Sequence, residues 1–149
     1  DETAALYGGV AGHAGLFSNA EDLAVLFQML LWDGQYGGVR FLQPNTIQQF
    51  TQSLSDKGRA LGFDHMRPDN TAIAYRASNK TFGHTGFTGT CVWADPENDL
   101  LFVFLSNRIH PNRRNSTMMR ERVRRRMHQV IYDALDSYQY RLPVLVLSE

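Results

Sequence analysis

The chain has 149 residues, 43% of them hydrophobic and 20% charged, a composition that excludes intrinsic disorder and suits one globular domain or part of one. Fifteen basic side chains balance fifteen acidic ones, so no net charge draws the chain towards nucleic acid or an anionic membrane. The longest apolar runs, residues 100–105 and 144–147, are too short to span a bilayer, and the single cysteine, Cys91, excludes an internal disulfide and a multi-cysteine zinc site.

The chain opens on Asp1-Glu2-Thr3, with neither an initiator methionine nor a secretory leader, as expected of a piece of a longer protein. Residues 6–15 are rich in Gly and Ala, which let the backbone turn freely. Ser18-Asn19-Ala20-Glu21 has the form of a capping box, and behind it Leu23, Leu26, Phe27, Leu30 and Leu31 recur at helical spacing as far as Gly34. Residues 33–39 read as a Gly-rich loop. A second helix is expected from Pro44, a residue that suits a first helical turn, with Ile47, Phe50 and Leu54 on its buried side. The polar stretch at residues 53–59 marks the organisational break, so residues 1–56 form a helical segment and residues 57–149 carry strands and a last helix.

Beyond the break the pattern favours strands. Residues 60–66 are a short candidate, followed by the turn residues Pro68-Asp69-Asn70. Residues 81–94 contain Phe82, Phe87, Thr88, Thr90, Val92 and Trp93, types that suit a pleated surface. Asp95-Pro96-Glu97-Asn98-Asp99 is a turn by composition, and residues 100–105 read as a strand covered on both faces, so the two strands are expected as an antiparallel hairpin. Asn115 or Ser116 caps the last helix, whose apolar stripe is Met119, Val123, Met127, Val130, Ile131 and Ala134. Residues 142–147 form either an edge strand or a docked extension. The expected class is α+β, an antiparallel sheet flanked by helices.

The sharpest local feature is Gly83-His84-Thr85-Gly86-Phe87-Thr88-Gly89-Thr90. It resembles the strand motif of serine β-lactamases, penicillin-binding proteins and related esterases, in which Lys-Thr-Gly is common and His-Thr-Gly a frequent variant. Two further pieces resemble that family in the expected order: residues 9–18 leading into Asp22-Leu23-Ala24, and Leu61-Gly62-Phe63. One such match is weak; the ordered set covers residues 6–136. Phe82–Thr90 taken with Phe104-Leu105-Ser106-Asn107-Arg108 is similar to β-lactamase-like domains fused behind family 3 glycoside hydrolases in bacterial cell-wall enzymes.

The resemblance implies the C-terminal portion of one β-lactamase- or transpeptidase-like domain, in a parent of the bacterial periplasm or cell envelope. It implies a serine acyl hydrolase acting on an ester, amide or β-lactam, with a small-molecule or peptide substrate and no cofactor. His84 and the Phe87 backbone amide, one of two oxyanion donors, would be catalytic; Thr85, Gly86 and Thr88 would bind substrate. Gly86 would lack a side chain because substrate lies against this edge. Losing one oxyanion donor typically costs roughly 3–4 kcal/mol. A histidine in place of lysine also brings a charge that changes near pH ~6.5. No Ser-x-x-Lys occurs: Lys57 and Lys80 are the only lysines, preceded at three residues by Leu54 and Ala77. The second-motif tyrosine is not identifiable either. The chain alone is therefore expected to be inactive, its nucleophile lying upstream.

Plainer readings compete. The alternative function is a non-catalytic peptide- or glycan-binding module attached to a cell-wall glycoside hydrolase. Cys91 and His84 are seven residues apart and so face opposite ways on one regular strand, which makes Cys91 a buried thiol. His13, His65, His110 and His128 lack metal-ligand spacing, and His13 is expected to anchor its loop. Arg120, Arg122, Arg124, Arg125 and Arg126 fall opposite the apolar stripe without interleaved aromatics, as a solvated face and not a nucleic-acid surface. Apolar faces left uncovered by the missing elements would favour self-association.

Overall fold

The structure, a computed structural model, describes residues 1–52, 54, 58–67 and 69–139. Helix α1 (Glu2–Leu6) is capped by Asp1, whose carboxylate accepts from the Ala4 amide. Helix α2 (Ala20–Leu31) is capped by Asn19, one residue later than the sequence suggests. Asn19 Oδ1 accepts the Asp22 amide at 2.9 Å and its Nδ2 donates to the Asp22 carboxylate at 2.8 Å. Asn accepts in this position as well as Ser does, and the Asp22 carboxylate answers the Asn19 side-chain amide instead of closing a capping box on a backbone amide.

Gly34 closes α2. Its φ is +86, its amide reaches Met29 O at 2.9 Å, and a Cβ there would overlap the Leu42 carbonyl. The segment expected to be a loop instead forms a small hairpin, β1 (Gln35–Tyr36) against β2 (Val39–Arg40). Gly37-Gly38, at φ +58 and +80, meets the need of a two-residue turn for positive φ at both positions. Helix α3 (Pro44–Thr51) begins on Pro44 and buries Ile47, whereas Phe50 and Leu54 remain 46% and 62% exposed.

The main sheet is four-stranded and antiparallel, in the order β3 (Asp64–His65), β4 (Phe82–Thr85), β5 (Cys91–Asp95), β6 (Leu100–Phe104). The candidate strand at residues 60–66 pairs only through Asp64↔Gly83 and His65↔Phe82. Residues 81–94, which read as one strand, are a hairpin folded at residues 86–90, with Thr85 opposite Cys91. The expected second hairpin is also present, with Asp95 opposite Leu100. Strand alternation splits the apolar residues between two faces. Phe82, Val92, Ala94, Leu101 and Val103 pack with Phe27 under α2. Cys91, Trp93, Phe102 and Phe104 pack with Ile73 and Tyr132 on the other. Gly83 has no room for a side chain, because a Cβ would lie 2.0 Å from the Val92 carbonyl oxygen and 2.7 Å from Trp93 Cε3.

The last helix is two helices, α4 (Thr117–Arg120) and α5 (Val123–Gln139), separated by Arg122 at φ +50. Asn115 Oδ1 accepts the Thr117 amide at 3.0 Å, while Ser116 makes no side-chain cap bond. The buried face of α5 is polar: Arg125, His128 and Tyr132 point inward, and the expected stripe residues Met119, Met127 and Val130 are 37%, 49% and 60% exposed. Arg125, expected on the solvated face, donates to the carbonyls of Ile73 and Asn70 with its guanidinium 4.1 Å over the Tyr75 ring. Tyr132 donates to buried Asp95 at 2.6 Å. Hydrogen-bond partners offered by residues 70–78 and by Asp95 outweigh the apolar pattern. Residues 142–147 lie outside the described residues.

Candidate active site

β3 ends its pairing with β4 at Gly83, so the side of β4 away from β5 is open from His84 onward among the described residues. The ladder fixes which backbone groups face that side. Gly86 N–H donates to Thr90 O at 2.8 Å, which assigns the groups of His84 and Gly86 to β5. By alternation those of Thr85 turn to the open edge. The turn then carries the chain across: Gly89 N–H donates to Gly86 O at 3.0 Å, and Gly89 takes φ +99. This is a three-residue hairpin loop, Phe87-Thr88-Gly89. Among the described residues no acceptor takes the Phe87 N–H.

The structure therefore gathers the five sequence-marked residues on one strand end and turn. His84 is exposed, on the α2 side of the sheet. Its Nδ1 lies 2.7 Å from Thr85 O and its Nε2 lies 3.4 Å from an Arg59 guanidinium nitrogen. A carbonyl only accepts and a guanidinium only donates, so the tautomer with its proton on Nδ1 satisfies both. Arg59 is itself paired with Asp64 at 2.7 Å. The result is a relay from Asp64 of β3 through Arg59 to His84.

The turn is held from behind. Arg108 N–H and the Ser106 hydroxyl both donate to Thr88 O, at 2.8 and 3.3 Å. The guanidinium carbons of Arg108 and Arg113 lie 5.3 and 5.5 Å from the centroid of the Phe87 ring, within cation–π range. Arg113 also pairs with Glu2 of α1. Arg124 donates to Thr90 O at 3.4 Å. A Cβ on Gly86 would overlap the Thr90 hydroxyl, a constraint on this position that needs no substrate.

Arg59, Asp64 and Arg113 were not marked by the sequence, and Arg108 was marked only within the 104–108 resemblance, without a role. They come from other elements, and no local pattern announces their contacts with the turn or with His84. Cys91 does face away from His84, although the reason differs: the two sit on paired strands, with Val92 and not Cys91 opposite His84. Burial pushes the Cys91 thiol up to about 12, opposed by Arg124, so it is no thiolate nucleophile at neutral pH. His13 holds Asp1 at 3.4 Å, the loop-anchoring contact expected of it. Among the described residues no three His, Cys, Asp or Glu side chains are grouped to hold a metal ion.

The model of the β-lactamase family matches residues 1–124, most of the chain and all the elements described above as far as the start of α5. The chain belongs to the β-lactamase family. A protein of Salmonella paratyphi B named "Putative D-alanyl-D-alanine carboxypeptidase" is 42% identical over 109 residues, covering 69% of this chain and 24% of that protein. A protein of the same name from Salmonella newport matches to the same extent. The chain thus spans about a quarter of the length of these relatives. Among solved structures, a penicillin-binding protein homologue from Caulobacter crescentus aligns with TM-score 0.49 and 24% identity, over 57% of this chain and 24% of that one. No helix among the described residues is long and apolar enough to cross a membrane.

Proposed function

We propose that this chain supplies one wall and half the oxyanion hole of a serine acyl hydrolase. The Ser-x-x-Lys that it lacks would lie in a segment outside these 149 residues. The observation that carries the reading is the open edge of β4, leading to a Phe87 amide without an acceptor. A peptide laid along that edge pairs with the backbone groups of Thr85 as an added strand. Its acyl carbonyl then reaches the Phe87 N–H, and the second donor is the nucleophile's own amide.

The serine oxygen adds to the carbonyl carbon, and the tetrahedral oxyanion is held by the two amides. Collapse breaks the bond to the leaving amine or alcohol, which takes the proton that the serine hydroxyl gave up on attack. Water then hydrolyses the acyl ester and restores the serine. His84 orients polar groups of the substrate at the mouth of this edge through Nε2, exchanging its long 3.4 Å contact with Arg59 for them; Thr85 and Thr88 complete the contact surface. The relatives' name points to peptides ending in D-alanyl-D-alanine as the substrate class, and with them to the cell envelope as location. Fusion to a family 3 glycoside hydrolase belongs to the same proposal, supported by the resemblance of residues 82–90 and 104–108.

The test is covalent labelling of the full-length parent by a fluorescent penicillin and by a fluorophosphonate. Stoichiometric labelling, abolished by replacing the serine of the parent's Ser-x-x-Lys, is the expected result, with none on the 149-residue chain. A folded parent that takes neither probe would overturn the hydrolase in favour of a peptide- or glycan-binding module. Labelling of the chain alone would refute an external nucleophile.

A further inference from the structure

We infer that the cavity at the start of α5, lined by Tyr75, Arg122, Arg125 and Arg126, is a binding site for a phosphate monoester group. Its volume is about 550 Å3, within the range of small-molecule pockets. None of residues 84–90 lines it, so it is separate from the open edge of β4, and the inference stands independently of the acyl-hydrolase reading.

Arg125 is the observation that points to a ligand. It is only 4% exposed, yet no carboxylate pairs with its guanidinium among the described residues. Its partners are neutral: Nε and Nη2 donate to Ile73 O and Asn70 O, and the group lies over the Tyr75 ring. Nη1 has no partner among the described residues and is open to solvent, so it is the corner of the guanidinium left for the cavity that Arg125 lines. A buried cation is costly unless an opposite charge answers it, and an anion in this cavity would do so.

The rest of the lining sets the class. Arg122 donates from Nη1 to the Tyr75 hydroxyl at 3.4 Å, so one guanidinium stands at the face of this ring and another at its hydroxyl. That hydroxyl accepts from Arg122 and keeps its own proton to donate. Arg126 lines the same cavity, and its side chain has no partner among the described residues. The one acid in the lining, Glu121, is held by Arg120 at 3.0 Å. Arg122, Arg125 and Arg126 are therefore unanswered, at the positive end of a 17-residue helix. A carboxylate brings a single charge and two oxygens, too few for this set. A phosphate monoester brings about two charges and three acceptor oxygens, and can meet several guanidinium forks at once. A soluble phosphate ester and a lipid headgroup both carry that group.

The experiment follows the amide and arginine side-chain resonances of the 149-residue chain by NMR during titration with inorganic phosphate, and with acetate at equal ionic strength as the single-charge probe. The expected result is a saturable shift centred on residues 122–126, with phosphate about tenfold tighter than acetate. Arg122→Gln and Arg126→Gln should each weaken phosphate binding by about the same factor. Arg114→Gln, the same loss of charge at an exposed arginine outside the cavity, should leave it unchanged. Because Arg122 and Arg126 are exposed, their variants decide the matter even if Arg125→Met fails to fold. Once phosphate binding is established, sedimentation with phosphatidic acid vesicles separates the two sources: co-sedimentation lost in Arg122→Gln assigns the group to a lipid headgroup, and any other pattern assigns it to a soluble ester. No saturable shift, equal affinity for acetate, or an equal loss in Arg114→Gln would each overturn the site.

Discussion

Phe87 occupies the second position of the turn at residues 86–89, where proline is well tolerated in the common turn types. Phe87→Pro therefore removes the amide hydrogen at little cost to the turn, whereas Phe87→Ala removes the ring that Arg108 and Arg113 contact and keeps the amide. If that amide is an oxyanion donor, the proline variant of the full-length parent loses roughly 10²–10³ in kcat, and the alanine variant stays within a few-fold. Equal kcat values for the two would remove the amide from the mechanism. Gly86 carries a separate prediction. Gly86→Ala puts a Cβ into the Thr90 hydroxyl and should cost about 1–3 kcal/mol in urea unfolding of the chain. Thr90→Ala in the same chain should recover most of that loss. A Gly86→Ala variant of full stability but impaired turnover would instead restore substrate clearance as the reason for this glycine. His84, Thr85 and Gly86 were legible in the sequence because their motif is contiguous. Arg59 was not: it reaches His84 from 25 residues away, across a pairing that no local pattern encodes.

The elements show where periodicity suffices and where it fails. The extent of α2 was legible from its leucines and Gly34, but its first residue was not, because Ser18 and Asn19 are both good caps. The two alternatives differ in outcome. Asn19→Ala should destabilise the chain by about 1 kcal/mol, and Ser18→Ala, whose hydroxyl reaches only its neighbour's carbonyl at 3.4 Å, should have little effect on the urea midpoint. The strand-rich stretch at residues 81–94 concealed a turn, since Phe87 and Thr88 are strand-forming types and only Gly86 and Gly89 hint at reversal. In α5 the apolar count was misleading for a different reason. Arg125 and His128 are drawn inward by Ile73 O, Asn70 O and the Ala74 amide, groups about 50 residues distant in sequence. A helix facing unpaired backbone groups buries its hydrogen-bonding residues, and the apolar stripe is left half exposed.

At the scale of the whole molecule the sequence conveyed the α+β class and the antiparallel β5–β6 pair, and the ordered matches conveyed the family. What it could not convey is that the face of the sheet opposite α2 is closed by a polar seam of Asp95, His128 and Tyr132. That seam makes stability depend on pH. His128 is 1% exposed, stacks on Phe102 at 4.5 Å, and accepts the Ala74 amide on Nδ1 at 3.2 Å. Burial lowers its pKa to about 4, with Asp95 opposing the shift. The unfolded chain therefore binds the proton more readily, and stability falls as pH drops from ~6.5 towards 4, by of order 3 kcal/mol in all. Asp95 acts lower. Burial works against its charge, but hydrogen bonds from Ser78, Tyr132 and Asn98 prevail and hold it below the ordinary carboxylate value. Its contribution is intact above that value and is lost only as pH falls through the lowered one. The interval between the two belongs to His128. His128→Gln retains a side-chain acceptor for the Ala74 amide and has no proton to gain. Urea midpoints taken between pH 7 and 4.5 should therefore fall steeply in the parent sequence and remain nearly level in the variant. Parallel slopes would place the proton elsewhere and leave the seam a matter of hydrogen bonding alone.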